Sequence, residues 1–319
     1  MRYRSLGSSG LLVSVVGLGC NNFGSRLDAA AARNVIDAAL DAGVTLLDTS
    51  DSYGGGGGSE SAIGEALVGR RDSVVLATKF GSPVYDPFGP AGGRHAGRGW
   101  IRRAVEASLR RLRTDYLDLY QLHFPDPGTP LEETIAAMSE LVTEGKVRYL
   151  GHSNLAGWQI ARAAHLGKEI GATPFVSAQN EYSLLERNLE AEVVPACETY
   201  GLGVLPYFPL ANGLLTGKVR RGRPAPEGTR IAARKGYVTD DKLDRVEALV
   251  SFAEERKISL LDVAIGGLAA QPAVASVIAG ATSAEQVKAN AAAGDWEPTA
   301  DDLAALDELV PGPPREQVW

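Results

Sequence analysis

The chain has 319 residues, 45% of them hydrophobic, and carries 32 Lys and Arg against 39 Asp and Glu. A net charge of −7 without a dominant basic patch excludes the usual nucleic-acid binder, and no apolar run approaches the length of a membrane span. Two cysteines, Cys20 and Cys197, cannot build a disulfide framework and neither lies in a CxxC, which points to a reduced, cytoplasmic setting.

Met1-Arg2-Tyr3-Arg4 ahead of an apolar run ending at Cys20 has the outline of a lipoprotein signal. The run 11–16 is too short for one, and Gly7-Ser8-Ser9-Gly10 reads as a turn, so residues 3–16 are read as a β-hairpin. Beyond it, short apolar runs alternate with helical patterns. Strands are expected at 15–18, 45–47, 74–78, 117–122, 147–151, 175–179, 203–207 and 275–279. Helices are expected at 29–42, 60–68, 101–112, 131–144, 155–166 and 189–200, each with apolar residues three or four apart. Asp28, Ser59 with Glu60, and Thr129 ahead of Pro130 look like helix caps. Eight β-then-α units imply a parallel sheet with right-handed crossovers, closed as a (β/α)8 TIM barrel in one domain, 1–319. Helices at 240–257 and 300–310 fall outside the eightfold count, and the tail 311–319 reads as extended.

Two long connections interrupt the rhythm, at 81–99 and 211–239. Both leave C-terminal strand ends, so both are expected to wall a site.

The chemistry lies at those strand ends. Asp48 closes an apolar strand and is followed by Tyr53; Lys79 follows an apolar strand, and so does His123. A lysine there needs a carboxylate partner, which Asp48 at the neighbouring strand end supplies. A phenol beside that ammonium is expected to titrate below its usual value of about 10 and to serve as a general acid.

The set Asp48, Tyr53, Lys79 and His123 resembles the catalytic tetrad of the aldo-keto reductases. The resemblance runs over almost the whole chain. It is carried by Asp48-Thr49-Ser50-Asp51-Ser52-Tyr53-Gly54, Ala77-Thr78-Lys79, Gln121-Leu122-His123, Gly151-His152-Ser153-Asn154, the stretch from Gln179 to Arg187, and Tyr207-Phe208-Pro209-Leu210 with the residues to Lys218. It implies a carbonyl reductase using NADPH, with NADH possible and no metal. In that role Tyr53 donates a proton to the carbonyl oxygen, Lys79 held by Asp48 lowers its pKa, and His123 orients the carbonyl. The resemblance places Ser153, Asn154 and Gln179 at the nicotinamide carboxamide, Tyr207 against its ring, and Cys20 and Asn21 beside its ribose. Asp48 also borders the cofactor. Leu210, Gly213, Lys218, Arg230, Gly280, Thr282, Gln286 and Asn290 follow the rest of the dinucleotide, with Lys218 and Arg230 as the phosphate cations. Amide side chains match a carboxamide, and a helix opening at 280–283 favours a phosphate. Many relatives carry arginine where this chain has Thr282, a departure that weakens the case for NADPH over NADH.

Phe23, Tyr85, Phe88, Trp100 and Phe124 are the expected substrate-pocket residues, for a small carbonyl compound. Potassium channel β subunits share the resemblance, so a nucleotide-binding regulatory protein is the alternative; they lack histidine at the position of His123, which favours turnover here. Gly17-Leu18-Gly19 opens no Rossmann motif, because the helix begins only near Asp28. Gly54 to Gly58 is read as a mobile connector with Glu60 capping the next helix. His95, His123, His152 and His165 show no metal-binding spacing.

Overall fold

The computed structural model describes residues 1–313 apart from Pro224, Gly228, Arg230, Ala233 and Lys235. The expected hairpin is present as β1 (Tyr3–Ser5) and β2 (Leu12–Ser14), paired antiparallel. Leu6, just after β1, and Val13, within β2, are fully buried with Leu46, Ala77, Leu119 and Leu205 from the barrel interior. The hairpin therefore plugs one end of the barrel with apolar side chains.

Eight parallel strands follow: β3 (Val16–Gly19), β4 (Leu46–Asp48), β5 (Val75–Phe80), β6 (Leu117–Leu122), β7 (Val147–Ser153), β8 (Phe175–Glu181), β9 (Gly203–Tyr207) and β10 (Val277–Gly280). Their order is β10-β3-β4-β5-β6-β7-β8-β9. The ring closes through Val204, whose amide donates to Ala273 O at 2.7 Å while Ala275 N donates back to its carbonyl at 2.9 Å. This is the (β/α)8 barrel that the alternation implies. The strands run further toward their C-terminal ends than the apolar runs do, because polar residues there still pair. Lys79 lies opposite Gln121, and Ser153 opposite Gln179.

Helices α1 (Ala29–Asp41), the short α2 (Tyr53–Gly56), α3 (Gly58–Ala66), α4 (Arg98–Leu112), α5 (Leu131–Thr143), α6 (Gly157–Glu169) and α7 (Val193–Tyr200) surround the sheet. They are followed by α8 (Asp240–Glu255), α9 (Leu260–Ala269), α10 (Ala284–Ala293) and α11 (Ala300–Leu309). Of these, α9 escapes the sequence reading, because Leu260-Leu261-Asp262-Val263-Ala264-Ile265 is apolar on nearly every face and leaves no amphipathic period. Among the described residues no helix is long and apolar enough to cross a membrane.

Three cap readings divide. Asp28 caps α1, accepting from Ala31 N at 2.8 Å. Ser59 instead lies inside α3 and ties that helix to β3 and β4, donating to Cys20 O at 2.8 Å and meeting Thr49 Oγ1 at 2.8 Å. Thr129 bonds Asp126 at 2.9 Å, while Pro130 stands at the start of α5 without a side-chain cap. Glu60 caps nothing. It is fully buried, accepting from Thr78 Oγ1 at 2.6 Å and Arg111 Nε at 2.7 Å.

The glycines after Tyr53 form a packed turn rather than a loose connector. Gly54 has φ +69° and a Cβ there would sit 2.6 Å from Phe23 O; Gly57 has φ +93° and a Cβ there would sit 2.3 Å from Arg111 Nε. Gly55, at φ +76°, faces open space. Gly55→Ala should then cost about 1–2 kcal/mol for its left-handed backbone alone. Gly57→Ala should cost more, because it also pushes Arg111 off the buried Glu60. Urea unfolding of the two variants checks the order, and equal losses would show that Arg111 yields freely.

Candidate active site

Asp48 ends β4, Lys79 sits next to the end of β5 and His123 follows β6, so parallel strands bring three polar groups to one rim. Lys79 is completely buried; its Nζ donates to Asp48 Oδ2 at 2.6 Å and to Thr49 O at 2.8 Å. Asp48 Oδ1 accepts from Gln179 Nε2 at 2.9 Å and Gln121 Nε2 at 3.2 Å. A buried ion pair survives only when its remaining lone pairs and protons are met, and here Thr49, Gln179 and Gln121 meet them. Burial is the largest influence on Lys79 and pulls its pKa down. The Asp48 carboxylate and Tyr53 outweigh it, so the net direction is upward and the ammonium keeps its charge.

Tyr53 opens α2 beside this pair, with Lys79 Nζ 5.0 Å from its ring centroid. Its pKa departs from the sequence expectation: it is raised, not lowered. Burial is the largest cause and the Asp48 charge adds to it, while the charge and hydrogen bond of Lys79 pull the other way without prevailing. The phenol accordingly holds its proton at neutral pH. His123 stands edge-on to Tyr53 with ring centroids 5.8 Å apart, and its Nδ1 lies 3.1 Å from Ser50 Oγ. Burial first, then the Lys79 charge, brings the imidazole down to about 3, so it is neutral.

These groups open onto a cavity of about 630 Å³. The wall near Tyr53 and His123 holds Cys20, Asn21, Asp48, Phe124, Ser153, Asn154, Gln179 and Tyr207. Further along it run Leu210, Gly213 and Lys218 on one side and Gly280, Thr282, Gln286 and Asn290 on the other. Lys79 lies beneath the wall, fully covered. Cys20 is buried too; burial, then Asp48, pushes its thiol well up, which leaves it unreactive. The polar wall is preorganised. Ser153 Oγ donates to Gln179 O at 2.8 Å, Asn154 Nδ2 donates to His123 O at 3.0 Å, and Tyr207 Oη donates to Asn154 Oδ1 at 2.8 Å. Asn154 holds φ +61°, and Phe208, Ala211 and Asn212 are likewise left-handed non-glycine residues. Such strain collects where a ligand is held.

A model of the Aldo/keto reductase family matches residues 15–311. This chain belongs to that family. It is 38% identical to the "Uncharacterized oxidoreductase YrpG" of Bacillus subtilis over the full length of both chains. It is 35% identical to a "Probable voltage-gated potassium channel subunit beta" of Oryza sativa, covering 99% of this chain and 98% of that one. With "Protein tas" of Escherichia coli it shares 31% identity over 97% of each.

In this aldo/keto reductase several expected substrate residues lie elsewhere. Phe23 is fully buried between β3 and the helices. Trp100 is 1% exposed in α4, packed by Phe88 at 4.9 Å and His95 at 4.4 Å between ring centroids. Tyr85 packs against Gly56 and lines no part of the cavity. Nor does any residue of 81–99, because that connection folds back over Trp100 instead of over the barrel mouth. The 211–239 connection does wall the cavity, through Gly213, Thr216, Val219, Thr229 and Ile231. Arg230 lies outside the described residues. The sequence reading passes over Arg26, an exposed cation at the cavity mouth, whose signal was its place in the loop after β3. Among the described residues no group of three or more His, Cys, Asp or Glu is placed to hold a metal ion.

Removing one partner of the ion pair strands the other. Lys79→Met is expected to cost about 3–5 kcal/mol of stability in urea unfolding, and Asp48→Asn combined with Lys79→Met to recover part of it. No recovery would mean the lysine stem, not the charge, carries the effect. His152 offers a pH test. It is fully buried in β7 with neither ring nitrogen bonded among the described residues, and burial lowers its pKa from 6.5 to about 3. Above pH 6.5 it is neutral folded or unfolded; below that the unfolded chain binds the proton first, so stability falls with pH. Replacing His152 with Leu should remove about 2 kcal/mol of the stability lost by about pH 5, whatever its effect at neutral pH. An unchanged slope in pH-dependent urea unfolding would refute this.

Proposed function

We propose that this aldo/keto reductase reduces an aldehyde or ketone to an alcohol with NADPH, Tyr53 acting as the general acid. The observation that carries the reading is the unit Asp48–Lys79–Tyr53, buried at one end and facing the cavity with His123 at the other. The wall suits a nicotinamide dinucleotide. Gln179 turns its amide hydrogens inward to Asp48 and Gln121, so its oxygen remains as an acceptor beside the Ser153–Asn154 pair. That is the mixed donor and acceptor set a carboxamide needs, and Tyr207 supplies a flat face beside it. Lys218 and Arg26 are the cations along the described wall, suited to the phosphates, and family resemblance adds Arg230. Thr282 makes no charge available at the 2′-position; its amide and hydroxyl both bond Gln286 Oε1, at 2.8 and 3.1 Å. NADH therefore remains a candidate alongside NADPH.

When bound, the reduced nicotinamide supplies the hydride. Tyr53 remains protonated until a carbonyl oxygen gains negative charge, and then passes its proton across. The phenolate left behind faces the Lys79 ammonium, which Asp48 holds in place, so the charge forms next to a preset counter-charge. Neutral His123 directs the carbonyl by a hydrogen bond rather than by its own charge. Phe124, stacked on His123 at 4.7 Å, is the substrate-side aromatic that lines the cavity.

Similarity to a probable potassium channel β subunit favours a second reading, a nucleotide-binding regulatory protein with little turnover. The two separate cleanly. Tyr53→Phe should lower turnover of small aldehydes by about 10²-fold or more while leaving NADPH affinity within a few-fold. Binding is followed by titration with NADPH and NADH, turnover by loss of nicotinamide absorbance. Tight binding with no Tyr53-dependent oxidation would favour the regulatory reading, and binding of neither nucleotide would remove both.

A further inference from the structure

Behind His123 lies a second buried acid that the reaction above does not use. Asp51 is 3% exposed, and Ser50, wholly buried, stands between it and the imidazole. Ser50 Oγ is 3.2 Å from Asp51 Oδ1 and 3.1 Å from His123 Nδ1. Its other contacts are with Ser52, whose amide donates to it at 3.3 Å and whose hydroxyl lies 3.0 Å away. A hydroxyl has one proton to give and two lone pairs to fill. The Ser52 amide fills one lone pair, so Ser50 has one donation and one acceptance left to divide among its remaining neighbours.

We propose that Asp51, acting through the Ser50 hydroxyl, sets which nitrogen of the His123 ring carries the proton, and so whether the cavity meets an Nε2 donor or an Nε2 acceptor. With Asp51 protonated, its O–H donates to Ser50 Oγ and Ser50 donates to Nδ1, leaving the ring proton on Nε2. With Asp51 ionised, Ser50 turns its O–H to the carboxylate and accepts from Nδ1–H, leaving a bare lone pair on Nε2. One proton leaves to solvent between the two states, and the ring is neutral in both. Only the tautomer changes, since His123 does not gain a second proton until about pH 3.

The surroundings keep Asp51 poised between these states. Burial, then the negative Glu60 of α3, raises its carboxyl to about 7, while Ser50, Arg111 of α4 and the Ser52 amide act to lower it. Tyr120 of β6 and Tyr85 from the 81–99 connection also feel its charge, and Tyr120 Oη is buried without a partner among the described residues. Lys79 is committed to Asp48 and Thr49, and only its backbone carbonyl meets Asp51 N, at 3.1 Å.

The consequence for reaction rests on the reductase reading; the tautomer itself does not. An Nε2–H can donate to the oxygen of a carbonyl, whereas an Nε2 lone pair can accept from the hydroxyl of an alcohol. The relay then offers a carbonyl its orienting hydrogen bond below neutral pH and withdraws it above, so the rate of reduction falls as Asp51 ionises. Asp51 is a positioning residue here, since it reaches the substrate only through Ser50 and His123.

Long-range ¹H–¹⁵N spectra of the full chain, with His123 identified by its loss in His123→Gln, read the tautomer without any substrate. The Nε2–H form should predominate at about pH 5.5 and the Nδ1–H form at about pH 8.5, the ratio changing tenfold or more about a midpoint near 7. Asp51→Asn and Ser50→Ala should each make the ratio independent of pH. Ser50→Thr, which keeps the hydroxyl, should restore the titration, and Ser52→Ala should leave it intact. An immobile ratio in the unmodified chain, or a titration surviving in Asp51→Asn, would overturn the proposal, as would its loss in Ser52→Ala. On turnover, Asp51→Asn should flatten the fall in kcat for reduction across that pH range. A titrating tautomer in a chain that reduces no carbonyl would sink the reductase reading while upholding the relay.

Discussion

The Lys79–Asp48 pair is the interaction on which the rest of this structure depends. An ammonium with no exposure is tolerable only beside a charge held as firmly as itself, and Asp48 is so held by two glutamine amides from β6 and β8. Those amides tie three strand ends to one carboxylate. The pair is thus both an electrostatic device and the pin that sets the relative height of β4, β5, β6 and β8 at the rim.

Around that pin the chain has built a second polar layer. Glu60 lies fully buried yet bonded by Thr78 and Arg111, and Ser59 beside it holds Cys20 O and Thr49. These contacts join α3 and α4 to β3, β4 and β5 just behind Tyr53. They also explain why glycine follows Tyr53: only residues without a Cβ let the turn approach Phe23 and Arg111 so closely. The phenol is therefore set by a packed turn and a bonded helix, which suits a group that must meet a reacting atom within a fraction of an ångström.

The two long connections show how differently similar sequences are used. Both are rich in Gly, Pro and Arg, and both leave strand ends. One carries Phe88 and His95 and closes on Trp100, burying an indole that would otherwise lie open. The other lacks a large aromatic anchor near its middle and instead follows the barrel mouth, with left-handed residues at Ala211 and Asn212 turning it along the cavity.

Much was legible in the linear sequence. The β-then-α alternation determined the barrel, since eight such units have few other ways to bury both faces of a parallel sheet. A charged or titratable residue at the end of an apolar run is an anomaly that one dimension records, and Asp48, Lys79 and His123 are three of them in successive strands. Only the tertiary structure decided the rest. It turned Phe23 and Trp100 into core, made Ser59 a strap and Glu60 a buried partner rather than caps, and placed Arg26 at the cavity mouth. It also reversed the sign expected for Tyr53, because proximity to a lysine can be inferred from neighbouring strand ends whereas desolvation cannot. Burial is the sum of what every other segment brings to a point, and that sum exists only once the chain has folded.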